Sequence, residues 1–136
     1  MFSSKKHRPW GYYEILSDKK NHKVKRITVK PGHRLSLQRH FKRSEHWYVV
    51  SGYALVTLGD KFVVLSPGMS IDIPVKSWHR VENSMDLEYK TCLAEDLPNK
   101  LPDYFPKEDL VFIEVQTGTY FGEDDIERKE DIYGRV

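Results

Sequence analysis

The sequence predicts an all-β sandwich or barrel, and three observations carry that expectation. Short runs of strand-forming residues recur between turns built from Gly, Pro, Asn and Asp. No window before residue 94 holds apolar residues at helical spacing. The chain has 136 residues, 39% hydrophobic and 31% charged, which suits one domain with a hydrophobic core of its own.

Taken in order, His7-Arg8-Pro9-Trp10-Gly11 is a rigid, turn-prone opening, and residues 12–16 are the first strand. The polar run 17–21 reads as a hairpin turn into a strand over 23–29, which Pro31-Gly32 ends. Strands follow at 35–40 and 46–50, then at 53–58 and 61–65, the last two joined by the tight turn Gly59-Asp60. Pro67-Gly68 leads into a strand at 70–73, a loop at 74–77 and a strand at 78–81, with two more at 87–93 and 110–116. Residues 94–109 contain three prolines and little periodicity, which reads as a long surface excursion. The C-terminal run EDDIERKEDIYGRV has acids in its first turn and Gly134 near its end, the pattern of a short helix.

Composition narrows the function classes. No apolar run approaches the length that crosses a bilayer, and the two lysines near the N-terminus are followed by no apolar core, so a cytoplasmic protein is expected. Cys92 is the sole cysteine, which excludes an internal disulfide and a multi-thiolate zinc cluster. Residues 1–50 hold 13 of the 22 Lys/Arg but 3 of the 20 Asp/Glu, so the two halves carry opposite charge. They either neutralise each other in the fold or gather basic groups around an anionic small molecule. Nucleic acid is a poorer partner, because the lysines are neither arrayed on a helix nor interleaved with aromatics.

The chemistry concentrates in GHRLSLQRHFKRSEHWYVVSG, residues 32–52. Gln38 and His40 stand two apart on a strand and therefore share a face. Residues 41–44 make a short connection, and pairing of the flanking strands would return Glu45 beside His40. A fourth ligand is offered by His79, in the second block GMSIDIPVKSWHRVEN at 68–83.

These two blocks resemble the motifs of the cupins. Gly32, Gln38, His40, Glu45 and Gly52 reproduce the spacing of the first motif, with Gln38 where a histidine usually stands. Gly68, Pro74, His79 and Asn83 match the second, with Lys76 in place of its inner glycine. The resemblance implies a cupin-type jelly-roll barrel over residues 1–136, joined by the short C-terminal helical segment, and homodimers formed through edge strands. A narrower likeness covers most of the chain: RPWGYYEIL, the 31–52 block, IPVKSWHRVEN and EVQTGTYFGEDDIERKEDIYGR are similar to type II phosphomannose isomerase. In that family the cupin is commonly the C-terminal part of an enzyme that also carries a mannose-1-phosphate guanylyltransferase domain. No glycine-rich nucleotide-binding region precedes the RPWG segment in this sequence, so the second activity is expected to be absent. Residues 84–109 depart from the family pattern.

The resemblance implies that Gln38, His40, Glu45 and His79 hold one divalent metal ion. Their mixed imidazole, carboxylate and amide donors suit zinc, with nickel, cobalt or manganese as alternatives. It further implies interconversion of mannose 6-phosphate and fructose 6-phosphate through an enediol, with the metal polarising the carbonyl. Arg128 matches an arginine that the family uses near the reacting sugar, and Arg34, Arg43, Lys76 and Arg80 are further phosphate candidates. Two other readings stay open: a non-catalytic cupin that binds a sugar or sugar nucleotide, and an iron-dependent dioxygenase. Gln38 and the EVQTG…YGR tail argue against the last.

Overall fold

The computed structural model describes residues 4–84 and 108–134. Among the described residues eleven strands follow one another: β1 (Lys6–Arg8), β2 (Gly11–Asp18), β3 (His22–Val29), β4 (Leu37–Arg39), β5 (Arg43–Ser51), β6 (Ala54–Leu58), β7 (Lys61–Leu65), β8 (Ser70–Ile73), β9 (His79–Glu82), β10 (Leu110–Gly118) and β11 (Glu127–Glu130). They form two antiparallel sheets, ordered β1-β2-β3-β10-β5-β8 and β11-β4-β9-β6-β7. One hydrophobic cluster joins them: Val29, Val49 and Phe112 from the first sheet meet Ala54, Val56, Leu65 and Val81 from the second. Burying each of the larger of these side chains contributes roughly 2 kcal/mol. Among the described residues no helix is long and apolar enough to cross a membrane.

Sequence and local structure agree closely at the hairpin β6–β7. Leu58 pairs with Lys61, leaving Gly59-Asp60 as a two-residue turn, and Gly59 takes the positive φ of 62° that the first position of such a turn demands. Gly52, which ends the first motif, has φ 78° and lies so close to the β10 entry that an added Cβ would stand 2.7 Å from the Asp109 carbonyl oxygen. The two motifs are stitched together at their outer ends. Gly32 N–H donates to the Asn83 carbonyl, Asn83 N–H donates to the His33 carbonyl, and the Asn83 amide donates to the carbonyls of Val29 and Glu108.

The inner face of the larger sheet changes character along its strands. At one end the cross-strand partners are Val29 with Leu110 and Ile27 with Phe112; further along they become Lys25 with Glu114 and Lys23 with Gln116. Strand β5 repeats the change, from Val49 through Trp47 and Glu45 to Arg43, all four buried. Strand alternation thus delivers a dry plug at one end of the barrel and a ring of buried polar groups at the other.

Two expectations are corrected. The C-terminal run is not helical: Glu127–Glu130 is strand β11, in which Glu127, Arg128 and Glu130 pair with Arg39, Gln38 and Leu37. Edge pairing with β4 satisfies one side of its backbone, whereas a helix ending before Gly134 with Ile126, Ile132 and Tyr133 as its apolar residues would bury little. Nor does the strand that leads into His40 pair with the one that carries Glu45, since β4 and β5 belong to different sheets. The expected strand at 87–93 and most of the 94–109 excursion lie outside the described residues.

Candidate metal centre

Arg128, Gln38 and His79 occupy one row of the smaller sheet, because Gln38 pairs directly with Arg128 on one side and with His79 on the other. Directly opposed residues share a face, so all three side chains are set toward the same side. His40 follows two residues after Gln38, and Glu45 reaches the site from the opposite sheet, where the barrel closes.

The donors converge. His40 Nε2 is 3.3 Å from Glu45 Oε2, and His79 Nε2 is 3.9 Å from Glu45 Oε1. The ligand atoms of these three residues all lie within 4.8 Å of one another. Two donors bound about 2.1 Å from one ion stand at most about 4.2 Å apart, so both of these donor separations already fit.

Hydrogen bonds fix the imidazoles in the form that a ligand needs. His40 Nδ1 donates to the Asp125 carbonyl at 2.6 Å, and His79 Nδ1 donates to the Ser77 carbonyl at 2.9 Å. Both Nε2 atoms then carry a lone pair and lie near Glu45. Burial, reinforced at His40 by the Arg43 charge, lowers both imidazoles to about 4. They are therefore neutral near pH 7, as metal ligation requires. The Gln38 amide nitrogen donates to Ser36 Oγ at 3.0 Å, which leaves its oxygen as the group to offer the cavity. This donor set fits a divalent ion.

Several groups that sequence reasoning did not single out complete the surroundings. Trp47 Nε1 donates to both Glu45 Oε1, at 3.0 Å, and Glu114 Oε1, at 3.1 Å. Gln116 donates to Glu114 Oε2 at 2.8 Å. Burial first, and then the neighbouring Glu45 charge, push the Glu114 carboxyl up to about 7. The Asp125 carboxylate accepts from the backbone N–H groups of Phe41 and Lys42, clamping the turn between His40 and Glu45. Strand parity was the signal for Glu114 and Gln116: they continue the inward alternation of Leu110 and Phe112 in β10.

The cavity above the site has a volume of about 120 Å³ and opens to solvent. Gln38, His40, Glu45, His79 and Arg128 all line it, as do Arg43 and Arg80. Arg43 lies deeper than a phosphate candidate was expected to: its Nε donates to Glu45 Oε2 at 2.9 Å and its Nη2 to His40 Nε2 at 3.2 Å. Arg80 is anchored to the Leu35 carbonyl and to Glu130. Arg34 and Lys76 are not part of the lining; Arg34 pairs with Glu82 at 3.8 Å, and Lys76 is exposed with φ 65°. Also in the lining, the Lys25 ammonium and the Arg8 guanidinium lie over the Tyr13 ring at 4.2 and 5.1 Å, and Lys25 is ion-paired with Glu123.

Comparison with known proteins places this cavity in context. Residues 1–93 match the family described as mannose-6-phosphate isomerase C-terminal. The chain is 48% identical over 130 residues to the alginate biosynthesis protein AlgA of Pseudomonas aeruginosa, covering 96% of this chain and 23% of that protein. It is 47% identical over 132 residues to the xanthan biosynthesis protein XanB of Xanthomonas campestris, at 97% and 24% coverage. With the mannose-1-phosphate guanylyltransferase ManC of Salmonella typhimurium the identity is 42% over 130 residues, covering 96% of this chain and 23% of that protein. The chain thus spans about a quarter of the length of these curated relatives. Among solved structures, KdgF from Halomonas sp. superposes with a TM-score of 0.64 at 17% identity, covering 90% of this chain and 91% of that one. An RmlC-like cupin from Shewanella frigidimarina gives 0.63 at 15% identity, covering 90% and 87%. At such identities the structural likeness speaks for the fold alone, and that fold is the cupin barrel.

Proposed function

The chain belongs to the mannose-6-phosphate isomerase C-terminal family, and from that premise we propose that it is a metal-dependent aldose-ketose isomerase interconverting mannose 6-phosphate and fructose 6-phosphate. The observation that carries the reading is the meeting of His40, Glu45 and His79 with Arg128 on one cavity. His40, Glu45, His79 and Gln38 are the residues that would hold the ion, zinc being the leading candidate among divalent metals. Bound there, it would supply Lewis acidity to the sugar carbonyl and charge stabilisation to the enediolate. The Arg128 guanidinium, beside Gln38 in the same row, presents its fork to the developing oxyanion or to the phosphate. Tyr13, Trp10 and Trp47 wall the cavity with rings that limit water at the reacting carbons.

A second reading is a non-catalytic cupin that binds a sugar or sugar nucleotide. It is favoured by the position of Arg43 Nη2, 3.2 Å from His40 Nε2, on a lone pair that a metal would need. The two separate in one experiment. Purified protein loaded in turn with zinc, nickel, cobalt and manganese is incubated with mannose 6-phosphate, and fructose 6-phosphate is assayed with and without chelator. The isomerase reading expects turnover that chelation abolishes and metal restores. Absence of turnover with all four metals, with sugar phosphate still bound, would favour the binding module.

A further inference from the structure

Arg43 is an unusual neighbour for a metal site. Its side chain is 4% exposed, it is held on Glu45 through Nε, and through Nη2 it donates to His40 Nε2. That nitrogen has a single lone pair, because His40 Nδ1–H is committed to the Asp125 carbonyl. A guanidinium stays charged in proteins, so Arg43 cannot step aside by losing a proton. Among the described residues its Nη1 is buried without a hydrogen-bond partner.

We propose that Arg43 competes with the metal for the site: a divalent cation and the Arg43 guanidinium use the same His40 lone pair, so each excludes the other. In the metal-free protein Arg43 serves as the internal cation that offsets buried Glu45 and holds it beside His40. When a metal takes the His40 nitrogen, Nη2 is released while the carboxylates around Arg43 keep the guanidinium in the cavity. Two of its donors, Nη1 and Nη2, are then available to an anionic or oxygen-rich ligand. Metal loading therefore prepares an oxyanion donor inside the pocket. The inference rests on the metal-binding part of the proposed function and not on isomerase turnover.

The test is zinc affinity, measured by competition with a chromophoric chelator, for the wild type, Arg43→Gln and, as a control for the site, His40→Ala. Removing the competitor should tighten zinc binding in Arg43→Gln about tenfold or more, and His40→Ala should bind far more weakly than the wild type. Equal or weaker binding by Arg43→Gln overturns the competition. Failure of the wild type and Arg43→Gln alike to bind any divalent metal overturns it together with the metal-site reading. Should Arg43→Gln not fold, the wild type decides: the Arg43 Nε–H and Nη–H resonances, followed by nitrogen-15 NMR during zinc titration, must move as zinc saturates. Resonances unmoved at full loading would show the guanidinium still on His40 and sink the proposal. None of these readouts is turnover, so a protein that binds zinc competitively but isomerises nothing would still support it.

Discussion

Arg128 and Gln38 are direct partners across the β4–β11 pairing, and this relation sets a guanidinium in the same row as His79. The arginine lines the cavity yet stands outside the His40, Glu45 and His79 cluster. Arg128→Ala should therefore lower isomerase turnover about 10²–10³-fold, the cost of losing one oxyanion donor, while bound zinc per chain is unchanged. Turnover assay and elemental analysis on the same preparation check it. Unaltered turnover, or metal lost in parallel, would rule out Arg128 as the oxyanion donor.

Glu45 and Arg43 form a buried pair, with side chains 1% and 4% exposed and Nε 2.9 Å from Oε2. Glu45→Gln leaves the guanidinium without its nearest counter-charge, and breaking such a pair typically costs about 3–5 kcal/mol. Glu114, on the adjacent strand, offsets part of that, so the expected loss in chelator-treated protein is at the lower end, about 3 kcal/mol. Urea unfolding of wild type and variant at pH 7 measures it. Coincident midpoints would mean that Glu45 is not the group stabilising Arg43.

Lys76 stands where the cupin motif has glycine, and it adopts φ 65°, left-handed space that costs an L-residue about 1–2 kcal/mol. Glycine removes that strain but has more freedom to lose on folding, about 0.5–1 kcal/mol. Lys76→Gly should thus stabilise the fold by about 0.5–1 kcal/mol. Because Lys76 N–H donates to the His40 carbonyl at 2.7 Å, the turn must keep its shape, and metal affinity should stay as it is. A lower melting temperature would refute the strain argument.

Glu123 and Lys25 supply a pH dependence. Burial alone would raise the Glu123 carboxyl, but the Lys25 charge and its hydrogen bond override this and hold it down to about 2. A folded-state value below the unfolded one, about 4.3, contributes stability above that pH and loses it as pH falls toward 2. The Glu123 side chain is half exposed, so solvent limits the contribution to about 1 kcal/mol or less. Glu123→Gln should be less stable than wild type at pH 7, with the gap closing near pH 2.5. A gap that is constant with pH would assign its cause to packing.

The strand spacing was legible because turn residues announce themselves: β7 and β8 begin and end where Gly59-Asp60, Pro67-Gly68 and Pro74 predict. The approach of His40, Glu45 and His79 was legible because the spacing of both motifs survives in the chain. What sequence could not convey was which strands pair. The acids and the glycine of the C-terminal run suit a helix in isolation, and only the open edge of β4 turns them into a strand. Glu45 was expected to return to His40 along one sheet, yet it comes across the barrel from the other, a tertiary fact with no local signature. Arg43 was read as a cation for phosphate, because nothing in a sequence says that a positive charge is 4% exposed.

The change of character along β3, β10 and β5 divides labour within single strands. Trimming Phe112 or Val29 reaches the plug that holds the sheets together; altering Glu114 or Lys25, two and four residues away along the same strands, reaches the basin and its charge pairs. Such a scaffold can be rewritten at one rim without renegotiating how it stays closed at the other. New specificities can then arise on an unchanged foundation, which is the architectural condition for one barrel to serve many ligands.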